Sequence, residues 1–166
     1  MAFAILMFAT NFPTAHAINR IMGLDALGFE SDVEITAPRS FAAFDFPIPR
    51  MAQLQSATAN ISITANSQVN NEALFFFYFN DRLIETRTAK ELRQQKNLVL
   101  KLPLDGVLRD SVQLQIRSNM FITDDVCKDL YSGGLYFTIH KNTALNLTYD
   151  MLPIRTVSDY FGSFQQ

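Results

Sequence analysis

Residues 57–66 read Ala-Thr-Ala-Asn-Ile-Ser-Ile-Thr-Ala-Asn, and this run decides the fold class. Ala57, Ala59, Ile61, Ile63 and Ala65 alternate with Thr58, Asn60, Ser62, Thr64 and Asn66. Successive side chains of a strand point to opposite faces, so this unbroken alternation of apolar with hydroxyl or amide residues predicts a half-buried β-strand. The same period extends outward. Upstream, Phe44, Phe46 and Ile48 share one face while Asp45, Pro47 and Pro49 take the other. Downstream, residues 74–79 (LFFFYF) are apolar on both faces, which predicts a central strand covered from both sides. Asn80-Asp81 tolerates left-handed backbone angles and suits a tight hairpin turn into Leu83–Thr88. Residues 89–96 (AKELRQQK) are polar helix formers, giving at most a short surface helix. Leu98, Leu100, Leu102 and Leu104 then alternate with Val99, Lys101 and Pro103; a proline cannot donate to a ladder and puts that strand's end at a sheet edge. Asp105-Gly106 turns the chain into the alternating Val112, Leu114 and Ile116. A polar loop from Thr123 to Ser132 and the pair Gly133-Gly134 precede two last runs, Leu135–His140 and Ala144–Tyr149. About eight short strands without a helical period predict an all-β, antiparallel sandwich of jelly-roll-like form.

At 166 residues the chain is long enough for one hydrophobic core without metal or disulfide support. Fifteen Phe against six Gly predict a densely packed interior. The net charge is −2 and no Lys/Arg cluster stands out, so nucleic acid is not an expected partner. A single cysteine excludes an internal disulfide and a Cys-x-x-Cys zinc site; Cys127 reads as a small buried apolar residue. Residues 2–9 (AFAILMFA) followed by Ala15-His16-Ala17 have the grammar of a secretory signal, although the first positive charge, Arg20, lies beyond the cut. We read residues 1–17 as a signal-peptide remnant, a buried core segment being the alternative. Residues 18–150 form the sandwich, and 151–166, which lose the alternation, begin a linker or a next domain.

No catalytic constellation emerges. With His16 in the signal remnant, His140 is the one histidine left for a Ser/His/Asp or Cys/His arrangement, and it reads as a solvent-facing strand residue beside Lys141. Asp124, Asp125 and Asp129 cluster in one loop; either they hold calcium or they cap short turns, and the spacing is not that of an EF-hand. No P-loop, GxGxxG or GxSxG motif occurs, and no cofactor is expected. What remains suits sugars, whose hydroxyl edges and C–H faces want aromatic platforms beside amides and hydroxyls. Tyr131 and Tyr136 flank the Gly pair, and Asn60 and Thr64 lie on the polar face of the 57–66 run. These four residues are the candidate ligand-binding set, with ordinary rim tyrosines and a solvated strand face as the competing reading. No catalytic and no metal-binding residue is assigned.

Three ordered segments resemble the periplasmic regulatory subunit of bacterial cellulose synthase: Phe44-Asp45-Phe46-Pro47-Ile48-Pro49-Arg50; Phe77-Tyr78-Phe79-Asn80-Asp81-Arg82-Leu83-Ile84; and Asp125-Val126-Cys127-Lys128-Asp129 with Tyr136-Phe137-Thr138-Ile139 and Ala144-Leu145-Asn146-Leu147. The chain departs from the family pattern at Tyr136, where Trp is usual, and at Thr143 or Ala144, where Ser is usual. The resemblance implies a jelly roll of the carbohydrate-binding-module type at the N-terminal part of a non-catalytic subunit. It also implies a periplasmic location, association with the inner membrane through parts absent from this chain, and two partners, the catalytic synthase subunit and the β-glucan polymer. A jelly-roll polysaccharide lyase or hydrolase, and a pure assembly module without a sugar site, are the competing functions. The family's cyclic di-GMP label finds no support in these residues, which lack an Arg-x-x-x-Arg pair in a polar loop.

Overall fold

The computed structural model describes residues 17–37, 40–104 and 110–153. The expected signal remnant up to residue 16, the Asp105-Gly106 turn and residues 154–166 lie outside the described residues. In chain order the strands are β1 Ile18–Gly23, β2 Val33–Thr36, β3 Phe41–Pro47, β4 Ala52–Ala65, β5 Leu74–Phe79, β6 Arg82–Thr88, β7 Asn97–Lys101, β8 Ser111–Asn119, β9 Tyr136–Ile139 and β10 Ala144–Met151. A 3₁₀ turn, Leu24–Leu27, separates β1 from β2, and two short helices are α1 Ala89–Gln94 and α2 Val126–Tyr131.

The strand pairings among the described residues are antiparallel. One sheet runs β3-β8-β5-β6; the other carries β1, β10, β4, β9 and β2, with β7 on the opposite edge of β4. The larger sheet is simpler than its strand count. Ile63 of β4 faces Ile139 of β9, and Asn60 faces Ala144 of β10, so β9 and β10 are two pieces of one interrupted strand. β1 and β2 are likewise pieces of the strand beyond it, with Gly23 opposite Ala144 and Val33 opposite Ile139. Counting each broken strand once, the first pairs the last, β3 pairs β8, β4 pairs β7 and β5 pairs β6. That nesting is a long hairpin rolled onto itself, which is a jelly roll. The expected eight strands are therefore eight positions, two of them split. The outermost partners start together, with Ile18 opposite Tyr149.

Why these residues fold this way follows from their facing. Ala42, Phe44, Phe46 and Ile48 point inward, as do Phe75, Phe77 and Phe79, and Val112, Leu114 and Ile116. Across the gap β4 offers the small Ala57, Ala59 and Ala65 beside Ile61 and Ile63, leaving room for the rings. Phe75 and Phe137 meet edge to face across the sheets at 5.4 Å, and each fully buried ring stabilises the fold by about 1.5–3 kcal/mol. The Asn80-Asp81 turn has positive φ at both residues, as a type I′ hairpin requires, and Asn80 Oδ1 accepts from the Gln113 backbone N–H at 2.9 Å.

Four expectations change. β5 is covered on one face only: Phe76 and Tyr78 are half-buried and Leu74 is exposed, because the second sheet packs against the Phe75/Phe77/Phe79 side alone. The loop from Thr123 to Ser132 contains α2, capped by Asp125 accepting from Lys128 N. Cys127 is exposed on that helix and takes no part in the core. α1 is anchored rather than purely superficial, since Ala89 and Leu92 are buried and Thr88 and Glu91 form a reciprocal capping box.

Candidate functional site

The outer face of the larger sheet carries a groove of about 420 Å³ where β4 and β9 run side by side. Thr64 of β4 and Thr138 of β9 are cross-strand partners and both point into it. Tyr136 and Asn66 extend the surface at one end, where Asn66 N donates to the Tyr136 carbonyl at 3.2 Å. Lys96 closes the side toward β7; its backbone carbonyl accepts from Ile63 N at 3.0 Å. Arg93 forms part of the wall, and its guanidinium is committed to Asn71 Oδ1 and to the carbonyls of Asn66 and Val69.

His140 sits at the opposite end of the groove, one residue beyond β9 and half-buried, so it is not the solvent-facing strand residue that its sequence context suggests. Its Nδ1 lies 2.8 Å from Asp32 Oδ2 and its Nε2 lies 2.8 Å from Thr64 Oγ1. A carboxylate only accepts, so the Nδ1–H donates to Asp32; whenever the ring is neutral, Nε2 then accepts from the Thr64 hydroxyl. The other oxygen of Asp32 accepts from Lys141 N at 2.8 Å. That backbone N–H and then the imidazole hold the Asp32 carboxyl below its ordinary pKa. The connectivity imitates a nucleophilic triad, but Thr64 lies within the strand ladder. The wall's guanidinium already has other acceptors. The arrangement fixes the orientation of the Thr64 hydroxyl.

Where β9 gives way to β10, the extra residues are stitched to the sheet by Thr143. Its buried hydroxyl accepts from Ser62 N at 3.0 Å and donates to the Ser62 carbonyl at 3.2 Å, and His140 N donates to the same carbonyl. Thr143 thus supplies the hydroxyl expected of Ser at this point, in a structural role.

Of the four residues picked from sequence, Thr64 and Tyr136 come together in the groove. Asn60 lines a separate cavity of about 300 Å³ with Asn97, Val99 and Asn142. Tyr131 stands on α2, 92% exposed and away from the groove, because Gly133 with its left-handed φ turns the chain between the two tyrosines. The groove also holds His140, Asp32 beside it, and Lys96, for which the one histidine among the described residues is the sequence signal. Of the carboxylates of the 124–129 loop, Asp125 caps α2 and Asp129 caps the turn before it. Asp129 is buried and accepts from Ile122 N, Thr123 N and the Thr123 hydroxyl. No group of three His, Cys, Asp or Glu with metal-binding geometry occurs among the described residues.

With this geometry in view, residues 19–151 match the family model described as "Cellulose synthase BcsB, first CBM domain". The chain belongs to the BcsB family. BcsB is a non-catalytic accessory subunit family of cellulose synthase, periplasmic and membrane-associated in general. Among the described residues no helix is long and apolar enough to cross a membrane. No curated protein matches this BcsB-family domain. A solved structure, dimeric latent PorU from Porphyromonas gingivalis, is similar to it with a TM-score of 0.48 at 10% identity; the match covers 87% of this chain and 14% of that one.

Proposed function

We propose that this domain is a non-catalytic periplasmic module that contacts nascent β-glucan and helps to seat the accessory subunit on the catalytic synthase. The observation that carries this reading is the groove beside Tyr136, where the Thr64 and Thr138 hydroxyls lie next to one aromatic ring on an open sheet face. Sugars are met in that way, by an apolar ring face and by groups that exchange hydrogen bonds with hydroxyls. The groove is shallow and short of aromatics, which favours weak binding. Weak binding suits a polymer that must slide past.

The test is retention of the purified chain on amorphous cellulose and on soluble β-glucan gels. Tyr136→Ala and Thr64→Val should each reduce retention by about threefold to tenfold, the loss of roughly one ring contact or one hydrogen bond. Unchanged retention in both variants would remove the groove from the glycan path. A reducing-sugar assay on the same glucans should stay at background, and a turnover signal would favour the lyase or hydrolase reading.

One observation favours a separate assembly role. Leu130 and Tyr131 are exposed together on α2, and an apolar side chain next to an amphipathic tyrosine is commoner at protein contacts than on solvated helices. Tyr131→Ala should then weaken co-purification with the catalytic subunit more than it weakens glucan retention.

A further inference from the structure

The outer face of the β3-β8-β5-β6 sheet, on the other side of the sandwich, is not a plain solvated surface. β5 places Phe76 and Tyr78 there, half-buried, and Leu74 and Leu83 are exposed beside them. The registers arrange these side chains in rows across the strands. One row runs Phe41, Arg117, Phe76, Thr86, and the next runs Ala43, Gln115, Tyr78, Leu83. Asp45 and Gln113 begin a third. At about 4.8 Å per strand a row spans on the order of 15 Å.

The polar groups of this face are fixed before any ligand arrives. Arg117 stacks over the Tyr78 ring at 4.7 Å and its Nε donates to Gln115 Oε1 at 2.8 Å, while Gln113 Nε2 donates to Asp45 Oδ1 at 3.0 Å. One acid and one base thus stand among neutral amides and rings, and both are tied down by neighbours. A polyanion would ask for surplus positive charge, and a lipid surface or apolar helix for a continuous apolar patch. Rings alternating with oriented amides on a neutral, open-ended sheet match a neutral polysaccharide, whose sugars alternate apolar ring faces with hydroxyl edges.

We infer that this face is a second glycan-contact surface, taking a neutral β-linked glucan chain laid across β3, β8 and β5, with Phe76 and the stacked Tyr78–Arg117 pair as platforms and Gln113 and Gln115 as hydrogen-bonding partners. The inference rests on the proposed glucan contact, yet it concerns a surface separate from the Tyr136 groove. Fixed side chains lower the ordering cost of binding on both surfaces, and two rings here against one in the groove make this face the larger contributor to retention.

The experiment compares the full chain with Phe76→Val, Tyr78→Val and the double variant on soluble β-glucan gels, with Tyr136→Val as the groove control. Valine keeps β-propensity on an outward-facing position, and thermal unfolding checks the fold of each variant. The double variant should lose retention by about tenfold or more, and each single variant by less. Backbone amide shifts of the unmodified chain, titrated with cello-oligosaccharides, should move at Gln113, Gln115 and Arg117; this readout stands even if a variant unfolds. If the unmodified chain is retained, the double variant is retained equally and the β8 amides stay still, this surface is overturned while glucan contact stands. If the unmodified chain is not retained and no amide moves, both readings fall together.

Discussion

Thr143 shows how much one hydroxyl can decide. It is fully buried and both donates to and accepts from the Ser62 backbone, closing the gap left where one strand is interrupted. Thr143→Val keeps the shape and leaves a buried N–H and C=O without that partner, so it should cost about 1–3 kcal/mol, measured as a shift of the urea midpoint. Asp129 sets a pH limit. Burial pushes its carboxyl up, but the Ile122 and Thr123 N–H groups and the Thr123 hydroxyl outweigh that and hold it below its ordinary value of 3.8. A depressed pKa means the stabilisation is complete above the unfolded value and is lost as pH falls through the folded one. The unfolding temperature of the unmodified chain should therefore fall as pH drops below about 4. Asp129→Asn should be less stable at neutral pH and lose part of that acid dependence, whereas Asp124→Asn should change neither. Cys127, exposed on α2, should react fully with a thiol reagent in the native state.

β4 was legible from its letters because its two faces meet different environments, core on the Ala57–Ala65 side and solvent or short polar contacts on the other. Ala59 is wholly buried in the core, and Ala59→Leu should destabilise by about 1–3 kcal/mol through overpacking, read from chemical denaturation. β5 misled for the opposite reason. Phe76 and Tyr78 look like core by composition, and nothing in a linear string separates a ring that faces another sheet from one left on a half-open surface. α2 was hidden because a single turn and a half carries no readable period, and only its Asp125 cap marks it. The groove was half legible. Thr64 and Tyr136 could be chosen for chemistry, but the contact between His140 and Asp32 joins residues 108 positions apart, a distance that no local pattern encodes.

On the scale of the molecule, the count of turns and alternating runs was enough to anticipate a jelly roll, since that topology is built from short antiparallel strands. The runs Leu135–His140 and Ala144–Tyr149 already showed one break; that it lies level with a break in the adjacent strand, between Gly23 and Val33, was not to be anticipated. That alignment is set by pairing between residues far apart in the chain, so no local run of letters carries it. The overall charge balance of −2 carries its own expectation. Glucan retention should vary by less than about twofold between roughly 0.01 M and 1 M salt, because no long-range field is there to screen; a steep decline would point to an anionic partner.

The opposition of Ile18 and Tyr149 has a mechanical meaning. Whatever the chain joins before β1 and after β10 leaves from one corner of the sandwich. Tension between those two attachments loads the β1–β10 ladder from its open end, parting its hydrogen bonds in succession like a zip instead of shearing them all at once. A pull from a moving polymer or a shifting neighbour would then strip the outermost strand at low force while the aromatic interior stayed shut.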